Sequence, residues 1–165
     1  MDDLTAEGHL APTLASLGAR FDHTAVAGPS LTPLLAFYRD VLGAEFRYGE
    51  ILPIGAVVVA MFLGDTKIEL MAPTPGSTFF DAFFAATQGR GGVHHLTFEV
   101  PDIDEAHAVL RAHGVSTFGL AYDDFWSEVF VHPRANGGVL VQLAQIGDYS
   151  TVVGRDLDTL IAAAL

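Results

Sequence analysis

The stretch Gly91-Gly92-Val93-His94-His95-Leu96-Thr97-Phe98-Glu99-Val100-Pro101-Asp102-Ile103-Asp104-Glu105 decides how this chain is read. It restates an earlier one, Phe21-Asp22-His23-Thr24-Ala25-Val26-Ala27-Gly28-Pro29-Ser30-Leu31; each reads as a strand carrying a histidine, then a proline, then a helix. Laid over one another, His23 falls on His95, Pro29 on Pro101 and Leu31 on Ile103, all at an offset of 72 residues. Random sequence seldom supplies such a match, so the chain is read as a duplication.

The offset extends, within a residue, to the ends of the two halves. Lys67-Ile68-Glu69-Leu70-Met71-Ala72-Pro73 closes the first, and Val139-Leu140-Val141-Gln142-Leu143-Ala144-Gln145 closes the second. Each half thus offers one imidazole and one side-chain oxygen donor at matched places: His23 and Glu69, His95 and Gln142. Four such groups, two per half, suit a metal ion on a pseudo-two-fold axis.

In the first half, the strand 21–27 leads into a helix with apolar residues Leu31, Leu34, Leu35, Tyr38, Val41 and Leu42 at helical spacing, capped by Ser30 or Thr32 and ended by Gly43. Strands near 45–50, 55–63 and 66–72 follow, the last two joined at Gly64-Asp65. The second half repeats the order: a strand at 93–100, a helix from Ile103 with a capping box from Asp102 to Glu105, and strands near 115–119, 126–132 and 138–145. The fold class is α+β, with two βαβββ modules, 20–73 and 92–146, in one domain spanning 20–146. Residues 1–19 form an N-terminal extension and 147–165 a helical tail that caps the domain or meets a second subunit. Between the modules, Phe79, Phe80, Phe83 and Phe84 recur at helical spacing and read as a short helix packed on the sheet or on a second subunit.

Half of the 165 residues are hydrophobic, enough for a real core, and no apolar run is long enough to cross a bilayer. With no basic leader at its start, the protein is expected to be soluble and cytoplasmic. Cysteine is absent, which leaves histidine, carboxylates, amides and hydroxyls to do any chemistry. A net charge of −12 with eight Lys and Arg excludes nucleic-acid and membrane partners and counts mildly against a highly phosphorylated substrate.

Alternation assigns the faces. His23 lies with Phe21 and Ala25, and His95 with Val93 and Thr97, on the concave side, while Leu96, Phe98 and Val100 meet the helices. Glu69 stands between Ile68 and Leu70, and Gln142 between Val141 and Leu143, so both point away from the apolar layer. Either alone would be a solvated group; all four together read as a metal site. His94 is expected to support the site from behind or to be a satisfied core histidine. Val57, Val59, Met61, Met71 and Trp126 are taken as an apolar substrate pocket, with Glu128 facing away.

Asp22-His23, Phe37-Tyr38-Arg39-Asp40-Val41-Leu42-Gly43, Ile68-Glu69-Leu70, His94-His95 and His132-Pro133 followed by Gly137-Gly138-Val139-Leu140 resemble the vicinal oxygen chelate superfamily, whose glyoxalase-like fold wraps paired βαβββ modules in a curved mixed sheet around a central cleft. The nearest pattern within it is that of the methylmalonyl-CoA epimerases. The resemblance implies one divalent ion (Mn, Co, Ni, Zn or Fe) and a homodimer. That family's ligands run His, Gln, His, Glu; here His23, Glu69, His95 and Gln142 keep the donor types while carboxylate and amide exchange halves.

The family also uses a glutamate on the middle strand of the first half as its base, and the ungapped match is Val59. Valine moves no proton, which points away from methylmalonyl-CoA epimerase itself. The expected function is a metal-dependent lyase or isomerase acting through an enolate beside a carbonyl of a small, largely apolar substrate, with Glu69 or Asp124 as base. Two alternatives stand beside it: a non-haem iron dioxygenase built on His23, Glu69 and His95, and a non-catalytic small-molecule binding protein.

Overall fold

The computed structural model describes residues 11–147 and 154–164; residues 1–10 of the expected extension, and 148–153 and 165 of the expected tail, lie outside the described residues. The chain forms β1 (Arg20–Ala27), α1 (Leu31–Tyr38), β2 (Glu45–Leu52), β3 (Ala56–Leu63), β4 (Thr66–Pro73), α2 (Asp81–Ala86), β5 (Gly92–Glu99), α3 (Ile103–Ala112), β6 (Thr117–Ala121), β7 (Trp126–Val131), β8 (Leu140–Ile146) and α4 (Leu157–Ala163). The strands make one mixed sheet in the order β2-β3-β4-β1-β5-β8-β7-β6.

That order reads the same from either side of its centre. β1 pairs parallel with β4, β5 pairs parallel with β8, and β1 meets β5 antiparallel. A parallel pair cannot be joined by a tight turn, which is why each half carries its helix and hairpin between the two strands. The antiparallel seam places His23 opposite Thr97 and Ala25 opposite His95, so the two imidazoles share one face. Gly91, with φ of 75°, lets the chain enter β5 against the end of β1; a Cβ there would collide with the Ala27 carbonyl.

The opposite face is the core. In the first half Val57, Val59, Met61 and Leu70 pack against Leu31 and Leu35 of α1 and Leu160 of α4. In the second, Val129, Val131 and Leu143 pack against Ile103, Ala106 and Leu110 of α3. α3 has the expected cap: Asp102 Oδ1 accepts from the Glu105 N–H at 2.9 Å. α1 is shorter than expected. Its regular turns stop at Tyr38, and the chain coils on with wider bonds, such as Leu42 N–H to Phe37 O at 2.8 Å, until Gly43 at φ 79°. Val41, 74% exposed, therefore does not join the core.

α4 packs on the first half rather than projecting outward. It lies close over β2 because Gly49 has no side chain; a Cβ there would sit 2.5 Å from Leu160 Cδ1. Truncating Leu160, fully buried between α4 and the sheet, leaves a cavity that the strands cannot close. Leu160→Ala is expected to lower stability by about 2–5 kcal/mol in urea or guanidinium titrations, with unfolding still one transition.

Candidate metal centre and its cleft

Register decides which side chains enter the cleft. Along β4, Lys67, Glu69 and Met71 pair with His23, Ala25 and Ala27 of β1, so all six share the face away from the core. Thr97 aligns with Gln142 across β5 and β8, and Phe130 of β7 aligns with Gln142 in turn. His23, Glu69 and His95 each present a ligand atom, and these atoms all lie within 4.8 Å of one another. Donors bound at about 2.0–2.2 Å from one ion sit at most about 4.4 Å apart, so a small inward closure satisfies a shared cation.

Each donor is held from behind. Asp22 Oδ2 stands 2.5 Å from His23 Nδ1, which leaves Nε2 for the cleft, 3.6 Å from Glu69 Oε2. His94 Nδ1 takes His95 Nδ1 at 2.9 Å, while Phe79, Phe80 and Phe83 surround the His94 ring; this is the supporting role expected of it. Gln142 Nε2 donates to Glu128 Oε2 at 2.6 Å, which turns Gln142 Oε1 inward, where it accepts from the Thr97 hydroxyl at 2.6 Å. A carboxyl oxygen that carries no proton only accepts, so the amide nitrogen faces Glu128 Oε2 and the amide oxygen faces the cluster. Carboxylate or imidazole partners behind metal-binding side chains are what fix tautomer and ring angle. The four residues therefore fit a divalent ion.

Electrostatics set the resting protonation. Burial pushes the Asp22 carboxyl up, but its bonds to His23 and to Lys67 Nζ at 2.9 Å prevail and hold it at about 2. Burial disfavours a charged His23, yet Asp22 and Glu69 outweigh it and raise its pKa. Thr97 lies 3.1 Å from His23 Nε2, the nitrogen that faces the cleft. Burial, opposed by Glu69, keeps His95 down at about 4 and hence neutral, the form a metal needs. Burial also pushes Glu69 up, but the bond to His23 and the nearby His23 and Lys67 outweigh it and lower its pKa below the usual carboxylate range.

The expected site residues do not all arrive. His23, Glu69, His95 and Gln142 do, and Trp126 reaches across to Lys67 Nζ at 5.7 Å and to the His23 ring at 6.4 Å; Met71 shares their face of the sheet but is buried under Phe80. Val57, Val59 and Met61 do not, because they alternate to the other face and sit in the α1–α4 core. The β3 residues on the cleft face are Val58 and Ala60, aligned with Met71 and Glu69. Asp124 is exposed in a loop, outside the cluster. Glu128, read as facing away, enters the cleft beside Trp126, whose indole N–H it accepts at 2.8 Å. Residues two apart on a strand share a face, so placing Trp126 in the pocket already carried Glu128 with it. The aromatic run at 79–84 packs over Ala25, Ala27, Val58 and Met71, closing one end of the cleft.

Residues 22–124 match the Glyoxalase/Bleomycin resistance protein/Dioxygenase superfamily, and the chain belongs to that superfamily. Its relatives there are methylmalonyl-CoA epimerases. The mouse mitochondrial enzyme is 35% identical, over 76% of this chain and 72% of its own length. The ethylmalonyl-CoA/methylmalonyl-CoA epimerase of Cereibacter sphaeroides is 35% identical, over 77% of this chain and 98% of its own. In structure, the methylmalonyl-CoA epimerase of Mycobacterium tuberculosis superposes with a TM-score of 0.67 at 27% identity, covering 86% of this chain and 95% of that one.

Two outcomes are expected of the donor cluster. A divalent ion competes with the proton on His23, so calorimetry in buffers of different ionisation enthalpy should show proton release that grows as pH falls, with affinity dropping through the raised His23 pKa. Asp22→Asn removes the carboxylate behind His23 and should weaken metal affinity roughly 10–100-fold by chelator competition.

Proposed function

We propose that this protein is a divalent-metal-dependent isomerase that removes and returns the proton next to the carbonyl of an acyl thioester, inverting that carbon. The observation that carries this reading is the set His23, Glu69, His95 and Gln142, drawn from both halves and turned inward by Asp22, His94 and Glu128. Those four residues would hold the ion, and when bound it would supply Lewis-acid polarisation of the carbonyl oxygen. The relatives' names, methylmalonyl-CoA and ethylmalonyl-CoA epimerase, support a 2-substituted acyl-CoA as substrate class.

Valine at 59 does not weigh against this chemistry, because that side chain lies in the core and not in the cleft. Carboxylates reach the cleft from β4 and β7 instead, as Glu69 and Glu128. Trp126 gives the acyl chain an apolar wall, and the buried Lys67 ammonium adds positive potential beside Tyr48 and Trp126 that favours developing negative charge. Ferrous oxygen chemistry would also suit His23, Glu69 and His95, but Gln142 Oε1 turned inward closes a place that such chemistry keeps open.

The test combines metal content with exchange. Protein stripped and offered Mn, Co, Ni, Zn and Fe in turn should retain about one equivalent of at least one of them by elemental analysis. It should then exchange the α-hydrogen of 2-methylmalonyl-CoA, or of the corresponding phosphate-free pantetheine thioester, for deuterium. Retention of no metal, or exchange with neither thioester, overturns the reading.

A further inference from the structure

Inverting a carbon through a planar enolate takes two proton-transferring groups, one on each face. The donor set supplies Glu69 on one side of the β1–β5 seam. We infer that Glu128 is the group on the other side, an inference that rests on the isomerase reading above.

Four observations converge on it. Glu128 lies on β7, beyond β8, so it belongs to the half that lacks Glu69, while the Trp126 contact with Lys67 shows that the β7 face closes over β4 across the cleft. Its carboxylate stands one side chain from the cluster: Oε2 accepts from Gln142, whose own oxygen shares the Thr97 hydroxyl with His23. Both bonds it accepts, from Gln142 Nε2 and Trp126 Nε1, fall on Oε2, and Oε1 takes none among the described residues. No lysine, arginine or histidine pairs with it among those residues, so a neutral cradle fixes its direction without claiming its charge.

The duplication gives this a geometric reason. Glu69 aligns with Ala60 and Met71 with Val58; Gln142 aligns with Phe130 and Ala144 with Glu128. Glu128 and Val58 are therefore equivalent positions in the two halves. The half whose donor is a carboxylate has valine there, and the half whose donor is an amide has the second carboxylate. In one direction of turnover, Glu69 takes the proton as the C–H bond breaks, and that electron pair enters the enolate. The new C–H bond forms on the opposite face with a proton from Glu128, which is left ionised. The reverse direction exchanges the roles, and proton exchange with water restores the starting state.

The experiment resolves the two epimers in deuterated water, after wild-type protein has been shown to exchange and interconvert both. Glu128→Gln keeps an oxygen to accept from Gln142 and Trp126 but carries no transferable acid. It should retain the metal by elemental analysis, exchange the hydrogen of one epimer without inversion, and interconvert the epimers roughly 100-fold or more slowly. Unchanged interconversion overturns the inference, and equal loss of exchange from both epimers does so by showing that Glu128 only orients Gln142. Should Glu128→Gln lose its metal, Glu128→Asp decides: slowed interconversion with exchange of one epimer preserved supports the role, and equal slowing of both removes it. Wild-type protein that exchanges neither epimer overturns the isomerase reading itself, a result separate from any behaviour of the variants.

Discussion

A histidine buried at the seam of a sheet can turn only one nitrogen towards the cleft, and at His23 the carboxylate of Asp22 decides which one. The rest of the site follows the same constraint. His95 is fixed by His94 and Gln142 by Glu128, so each inward atom exists because an outward atom of the same side chain is already taken. None of the buried side-chain nitrogens and oxygens described lacks a partner, which a loosely built polar cluster in so apolar a sheet would not achieve. The partners come from β1, β5 and β7, so orientation of the donors depends on both halves being in register at once.

Charge is balanced by the same residues. Asp22 sits between His23 and the Lys67 ammonium, while Glu69 faces His23 from the other side, so two carboxylates, an imidazole and an ammonium share the first-half end of the cleft. Buried ion pairs repay desolvation only when every partner is present. In this cluster His23 Nε2 points where a cation would lie, while Lys67 is held by Asp22 close to two rings.

Much of this was legible in the residues. The 72-residue offset between the histidines gave the duplication, and the alternation of Glu69 with Ile68 and Leu70, and of Gln142 with Val141 and Leu143, gave the cleft face on β4 and β8. β3 was not legible in the same way. Ala56-Val57-Val58-Val59-Ala60-Met61 is apolar at every position because one face meets α1 and α4 and the other meets the aromatic plug of α2, so no period distinguishes the two. The expected pocket positions Val57, Val59 and Met61 therefore fall on the core side instead. The end of α1 misled differently, since Val41 and Leu42 continue a helical period that wider turns then carry out into solvent.

The placing of a carboxylate at 69 and an amide at 142 has a local cause in Glu128. Gln142 Nε2 lies 2.6 Å from Glu128 Oε2, a separation at which two carboxylates could not both be ionised. With glutamate at 128, an amide at 142 turns that contact into a hydrogen bond and still presents an oxygen to the cluster. The donor set then needs its negative member elsewhere, and β4 supplies it as Glu69, opposite the neutral Val58. One carboxylate among four donors leaves a divalent ion with a net positive charge, the condition under which it can still polarise a carbonyl. The positions of Gln142, Glu69 and Val58 are thus one coupled choice, and Glu128, on the same face of β7 as Trp126, couples them.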